Sequence, residues 1–449
     1  MTDAVPTLRS VNAALVAGSI SCAEIVEASF ARAKDLDGEG SRAFRALRES
    51  PARGEAAMQD SLRAAGRIAS PLAGLPISIK DNIDLAGEAT RGGSKLLENA
   101  AVAPADAAVV ARIKAAGAVI VGRTNMSELA FSGLGTNAFY GTPANPFDRT
   151  TRRIPGGSSS GAAISVTDGM ALAALGTDTG GSVRIPAALT GLAGFKPTQA
   201  RVPRDGVLPL STVLDCVGPL AAMLADCATI DAILANEPAP LPQFSGRLRL
   251  RTADDYMLAD ADEIVLTAYA EAKDILMRAG AEITPLPPGA FDEIRDYNRR
   301  GTFSNLEAWE RFGELIRERP RDIDPRIAER ILRGANITPA DLEANRRDRA
   351  NMMARFERAM LSFDALVAPT VPVIAPGISE VESDEGFRRA NALILRNPMT
   401  ANLLDAPSLT IPCQAPGTVP VGLMLIGPRM SDRKLLAIGL ALERQLAAR

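Results

Sequence analysis

The feature that most constrains this chain is a local pattern in which a helical run ends at glycine and is followed at once by a short apolar run. The clearest case spans Asp106 to Val121. Val109, Val110 and Ile113 recur at helical spacing, Gly117 ends the run, and Ala118-Val-Ile-Val121 reads as a buried strand. Further β-type runs occur at Leu75-Pro-Ile-Ser-Ile79, Ala365-Leu-Val-Ala-Pro369 and Val421-Gly-Leu-Met-Leu-Ile426. Helices and strands mixed along one chain must bury each other in layers, so the expected class is α/β. With 449 residues, 47% of them hydrophobic, the chain can bury a large core, and a single domain over residues 1–449 is expected.

Other segments fit around this unit. Ser21 and Glu24 form an S-x-x-E helix start after the apolar stretch Val11 to Ile20, and from Ser21 to about Arg67 apolar residues recur every three or four positions. A helical section over residues 1–70 follows, with two or three amphipathic helices. The small-residue run Gly161 to Leu175 is a helix candidate within a stretch otherwise dominated by glycine, serine, threonine and proline. Residues from about 238 to 363 read as variable helical cover within the domain, with a strand-like Leu248–Leu250 and a helix from Asp262 to Ala279 ended by Gly280. A closing helix is expected from Lys434 to Leu446.

Composition excludes whole classes of chemistry. The chain has no histidine, so a Ser-His-Asp triad, a Cys-His pair or an HExxH zinc site cannot be built. The four cysteines, Cys22, Cys216, Cys227 and Cys413, form no CxxC pair, and no metal site or disulfide framework is indicated. Twelve arginines lie between Arg299 and Arg349, but ten acidic residues are interleaved with them, which disfavours a nucleic-acid surface. No run of eighteen apolar residues occurs, so a membrane span is not expected, and the protein reads as soluble and cytoplasmic.

Three motifs carry chemistry. Gly156-Gly-Ser-Ser-Ser-Gly161 is a turn of small residues that presents hydroxyl and N–H groups together; no Lys-Ser or Lys-Thr pair follows it, so it is not a Walker loop. In Gly176-Thr-Asp-Thr-Gly-Gly-Ser182, two glycines before a serine allow successive N–H groups to point at one oxygen beside that hydroxyl. Asp178 and Arg184 flank this turn and could pair across it. Lys80 ends the strand-like run Leu75–Ile79, and burial there would lower its pKa and make a neutral amine available as a base.

Together LAGLPISIKDNID, PGGSSSGAA and GTDTGGSVRIPA, in that chain order, resemble the amidase signature family. Asp106 to Asn125, Gly194-Phe-Lys-Pro-Thr198, Pro369-Thr370 and Pro420-Val-Gly-Leu423 extend the likeness over most of the chain. The resemblance implies a mixed β-sheet core covered by helices on both faces and a Ser-cisSer-Lys triad. Ser182 matches the nucleophile, Ser158 the bridging serine after a cis bond from Gly157, and Lys80 the base. It also implies an oxyanion hole from the N–H groups of Thr179, Gly180, Gly181 and Ser182, with Ser159, Asp178 and Arg184 in support, and no cofactor.

The implied activity is hydrolysis of the C–N bond of small uncharged or aryl amides, with carbamates and esters open to the same acyl chemistry. Met126, Ser127, Phe131 and the Phe139-Tyr140 region are the candidate acyl pocket, faced by Phe303, Trp309, Phe312 and Phe356 from the 238–363 cover. The expected partner is a small-molecule amide, with no nucleic acid and no membrane, and a homodimer is compatible. The alternative is the glutaminase-like component of a glutaminyl-tRNA-type amidotransferase, disfavoured by the chain's length after Leu446 and by the lack of a basic tRNA-facing stretch.

Overall fold

A computed structural model describes residues 5–237, 243–244 and 246–447. Eleven strands form one sheet: β1 (Phe44–Leu47), β2 (Pro76–Lys80), β3 (Val119–Thr124), β4 (Ala173–Asp178), β5 (Ala193–Lys196), β6 (Cys216–Ala221), β7 (Arg249–Thr252), β8 (Glu282–Pro285), β9 (Ala365–Pro369), β10 (Ser408–Pro412) and β11 (Gly422–Ile426). Their spatial order is β1-β3-β2-β4-β6-β5-β10-β11-β9-β7-β8. The sheet is mixed: β2 runs parallel to both β3 and β4, β7 runs parallel to β8 and β9, and the remaining neighbours are antiparallel.

Each strand serves two layers because successive side chains alternate across the sheet. On β2, Ile77 and Ile79 enter the largest apolar cluster, which also holds side chains from the helices Cys22–Ala33, Ala108–Ala115, Leu224–Ala235, Glu263–Arg278 and Asp432–Ala447. Ser78 and Lys80 point the other way: Ser78 Oγ lies 2.8 Å from Ser165 Oγ on the helix Ser160–Thr167, and Lys80 Nζ lies 2.7 Å from Ser158 Oγ. The strand's alternation therefore aims a lysine at the serine-rich turn while its isoleucines anchor the backbone.

Several local expectations differ from what forms. The helix candidate Gly161–Leu175 ends at Thr167, where Asp168 caps it and Gly169 takes a φ of 66°, and the chain re-enters the sheet as β4 from Ala173. The helical N-terminal section contains a strand, β1, between the helices Gly40–Ala43 and Glu49–Ala64. The 238–363 cover is not purely helical: β7 and β8 extend the sheet beyond β9, and only then do the helices Phe303–Glu318, Pro325–Leu332 and Pro339–Met360 follow. The start of that stretch, residues 238–242, lies outside the described residues. The Asp262–Ala279 helix forms as Glu263–Arg278, the closing helix as Asp432–Ala447, and Ser21 and Glu24 make a reciprocal capping box. All four cysteines are buried and free.

Candidate active site

Lys80 is wholly buried at the end of β2. Its Nζ meets Ser158 Oγ at 2.7 Å and Thr177 Oγ1 at 2.8 Å, and Asn82 Nδ2 donates to the same Thr177 oxygen at 3.0 Å. Burial pushes the Lys80 amine down to about 7, against the opposing pull of Asp178 and Asp215. At neutral pH a large share of the amine is therefore uncharged. An uncharged amine at this place has Ser158 Oγ within reach of its lone pair.

The serine-rich turn is held from both sides. The Gly157–Ser158 peptide bond is cis. Gly157 N–H donates to Gly133 O at 2.7 Å, and Ser127 N–H donates to Ser158 O at 3.0 Å. A Cβ on Gly157 would meet Gly135 N at 2.5 Å and Ser127 Oγ at 2.6 Å, so only glycine fits. Ser159 N–H reaches Ser182 O at 3.2 Å, tying this turn to the next. Ser159 Oγ faces Thr177 O at 3.5 Å, and Ser160 begins the helix.

Ser182 lies in the turn between β4 and the helix Arg184–Thr190. Its side chain makes no hydrogen bond to a described group, and it lines a cavity of about 930 Å³. Asp178 shapes the turn: Oδ1 accepts from Gly181 N–H at 2.8 Å, Oδ2 accepts from Val183 N–H at 3.2 Å, and Arg184 grips both oxygens at 2.9 and 3.0 Å. Asn402 adds a further donor at 2.9 Å. Burial alone would raise the Asp178 pKa, but Arg184, Lys196 and Asn402 hold it down to about 2. Removing one member of such a buried pair typically costs about 3–5 kcal/mol.

The commitment of Gly181 N–H to Asp178 takes that group out of the expected oxyanion set. The amides of Thr179, Gly180 and Ser182 make no hydrogen bond to another described group, and all three residues line the cavity beside the free hydroxyl. Gly181 itself has a φ of 119°, and a Cβ there would meet the Pro398 ring at 2.6 Å. Thr179 is pinned from behind, its Oγ1 donating to Asp215 Oδ1 at 2.5 Å while Asp215 Oδ2 accepts from the N–H groups of Leu210 and Ser211. Burial pushes Asp215 up to about 6.

Of the candidate pocket residues, only Phe131 lines the cavity. Met126 packs in the apolar cluster beneath it, Ser127 Oγ accepts from Gly135 N–H, and Tyr140 lies under the Arg45 guanidinium, 3.1 Å from its ring centre. Phe303, Trp309, Phe312 and Phe356 pack in apolar clusters, and the aromatics that reach the cavity from the same stretch are Tyr256 and Tyr297. The wall includes eight arginines against three carboxylates. Thr177, Asn82 and Asp215 were absent from the sequence-derived site; the signal for Thr177 and Asn82 was their place inside GTDTGGS and KDN, and Asp215 carried none.

No group of three or more potential metal ligands occurs among the described residues, and no described helix is long and apolar enough to cross a membrane. The amidase family model matches residues 24–436. The chain is 35% identical over 398 residues to 2-amino-5-chloromuconic acid deaminase of Comamonas testosteroni, covering 87% of this chain and 86% of that protein. It is 34% identical over 476 residues to the A subunit of glutamyl-tRNA(Gln) amidotransferase from Roseiflexus sp. (strain RS-1), covering 98% and 96%. A crystal structure of an amidase superposes with a TM-score of 0.88 at 31% identity, covering 98% of this chain and 100% of that one.

Proposed function

The chain belongs to the amidase signature family of amide-hydrolysing enzymes, and on that footing we propose that it is a serine amidohydrolase in which Ser182 is the nucleophile, Ser158 the proton bridge and Lys80 the base. The observation that carries this reading is a wholly buried lysine 2.7 Å from Ser158, beside a serine hydroxyl left free in a cavity.

In the proposed cycle Lys80 takes the Ser158 proton while Ser158 takes the proton of Ser182, whose oxygen attacks the amide carbonyl. The tetrahedral oxyanion is met by the free N–H groups of Thr179, Gly180 and Ser182; each such donor is worth about 3–4 kcal/mol to the transition state. Reversal of the relay protonates the departing amine, and water, deprotonated by the same route, releases the acid from the acyl-enzyme. Esters and carbamates fit the same sequence of steps, carbamates losing carbon dioxide afterwards.

The likeness over 98% of the chain to a component of an amidotransferase supports a second reading, in which ammonia from glutamine is passed to a partner protein. A panel of aryl anilides, alkyl amides, an aryl carbamate and glutamine, run against the wild type and Ser182→Ala, separates the two. Turnover of several amides that vanishes in the variant is expected. Turnover confined to glutamine would favour the amidotransferase reading, and activity that survives Ser182→Ala would remove this serine from the mechanism.

A further inference from the structure

The turn that offers its N–H groups to the oxyanion is supported from a part of the molecule that carries none of the proposed chemistry. Asp215 is the first link: one of its oxygens pins Thr179, and the other gathers the N–H groups of Leu210 and Ser211. The second link lies outside the sheet. Glu307, on the cover helix Phe303–Glu318, accepts the Ser211 hydroxyl on Oε1 and the Thr212 N–H on Oε2, each at 2.6 Å. Ser211 is fully buried, and its N–H and its hydroxyl are held by two different carboxylates.

The same helix faces the substrate cavity. Its N-cap Thr302, with Ser304 and Asn305 in the first turn, lines the cavity together with Thr179 and Ser182. Asn305 stiffens that end: Oδ1 accepts from the Thr302 N–H and hydroxyl, and Nδ2 donates to Arg330 O at 2.7 Å. Phe303 and Leu214 share an apolar cluster, which docks the helix on the 210–215 segment. Gln199 and Arg204 hold the carbonyls of Thr212 and Asp215, whereas the Ser211 hydroxyl and the Thr212 N–H go to Glu307. Hydrogen bonds to a carboxylate are short and directional, so Glu307 fixes an orientation that apolar packing leaves loose.

Resting on the serine amidohydrolase reading, we propose that Glu307 is a positioning residue for catalysis: through residues 211–212 and Asp215 it sets the oxyanion turn, and so ties the helix that walls the substrate cavity to the N–H groups that meet the transition state. Glu307 itself does not line the cavity with Ser182 and acts through these contacts. An oxyanion donor works when it is already aimed at the place where charge develops, so slack in its support lowers the rate and leaves ground-state binding almost untouched.

The rate at which a fluorophosphonate labels Ser182 reads this without a known substrate, because the phosphoryl oxygen takes the oxyanion's place. Glu307→Ala is expected to slow labelling roughly fivefold. Glu307→Gln should keep most of the rate, its carbonyl accepting from Thr212 N–H and its amide donating to the Ser211 hydroxyl oxygen. Ser211→Ala, which removes one of the two bonds to Glu307, should fall between them, and it serves in place of Glu307→Ala if that variant does not fold. The pairing with Asp215→Asn gives a readout that a merely structural role would not produce. Because both residues act along one chain of contacts, the double variant should label about as slowly as Asp215→Asn alone, roughly tenfold below the wild type. With an anilide that the wild type turns over, the loss should fall on kcat with KM little changed. Labelling of Glu307→Ala at the wild-type rate, equal slowing by Glu307→Gln, losses that multiply in the double variant, or an effect confined to KM would overturn the proposal and leave the serine mechanism standing. A wild type that the reagent does not label would remove that mechanism, and the proposal with it.

Discussion

Around Lys80 the side chains are buried and Lys80 itself is held by Ser158 and Thr177, whereas the wall across the cavity, from Tyr256 to Arg333, is partly open and crowded with guanidinium groups. The first region gets its precision from backbone. Strand alternation on β2, glycines that admit no Cβ at 157 and 181, and one carboxylate at Asp178 bonded to two amides and an arginine leave little freedom. The second gets its character from side chains on helices, where ion pairs are traded among neighbours. The proposed catalytic groups thus sit where packing tolerates least change, and the cavity wall facing them where it tolerates most.

Substitutions in the two regions should differ in size accordingly. Lys80→Met should lower kcat/KM by roughly 10³-fold or more, because it removes the proposed base while keeping the stem's packing. The wild-type profile supplies the companion test: in the proposed mechanism the active form is the neutral amine, so kcat/KM should rise with pH through about 7 and then level off. A flat wild-type profile between pH 5 and 9 would mean that Lys80 does not titrate in the step measured. One shell further out, Asp215→Asn turns an amide N–H₂ toward the N–H groups of Leu210 and Ser211 or toward Thr179, and so loosens the oxyanion turn. A loss of roughly tenfold in kcat with KM little changed is expected, equivalent to about 1.4 kcal/mol; a change confined to KM would place Asp215 in ground-state binding. The smallest effect belongs to the cover's outer face. Arg347, 63% exposed and 3.8 Å from Asp348, should give a shift in unfolding free energy below about 0.5 kcal/mol on change to alanine, with unaltered kinetics. A loss of several kcal/mol there would erase the contrast between the two regions.

The same division governs how much could be read from sequence. The Lys80, Ser158 and Ser182 positions were legible because glycine, serine and lysine in fixed local patterns encode backbone demands. The α/β class and the apolar runs at 75–79, 118–121, 365–369 and 421–426, which form as β2, β3, β9 and β11, were legible for the related reason that buried strands carry short runs rich in aliphatic side chains. β4 was not, because Ala173-Ala-Leu-Gly-Thr-Asp178 continues the composition of the preceding helix and has no period of its own. β1 was hidden because Phe44-Arg-Ala-Leu47 is an edge strand four residues long, paired only with β3 through an irregular register. The pocket wall was least legible of all: Tyr256, Tyr297 and Arg330 come from separate helices and reach the cavity through long-range packing, which leaves no mark at local spacing.

The placing of β7 and β8 at the outer end of the sheet has a consequence for how such a protein can diverge. The stretch that supplies this wall enters and returns along the free side of β9, and no strand between β3 and β11 has to change neighbours when it lengthens, shortens or is rewritten. One border of the molecule can therefore be rewritten without disturbing the pairing of β2 with β4 on which Lys80 and Thr177 stand.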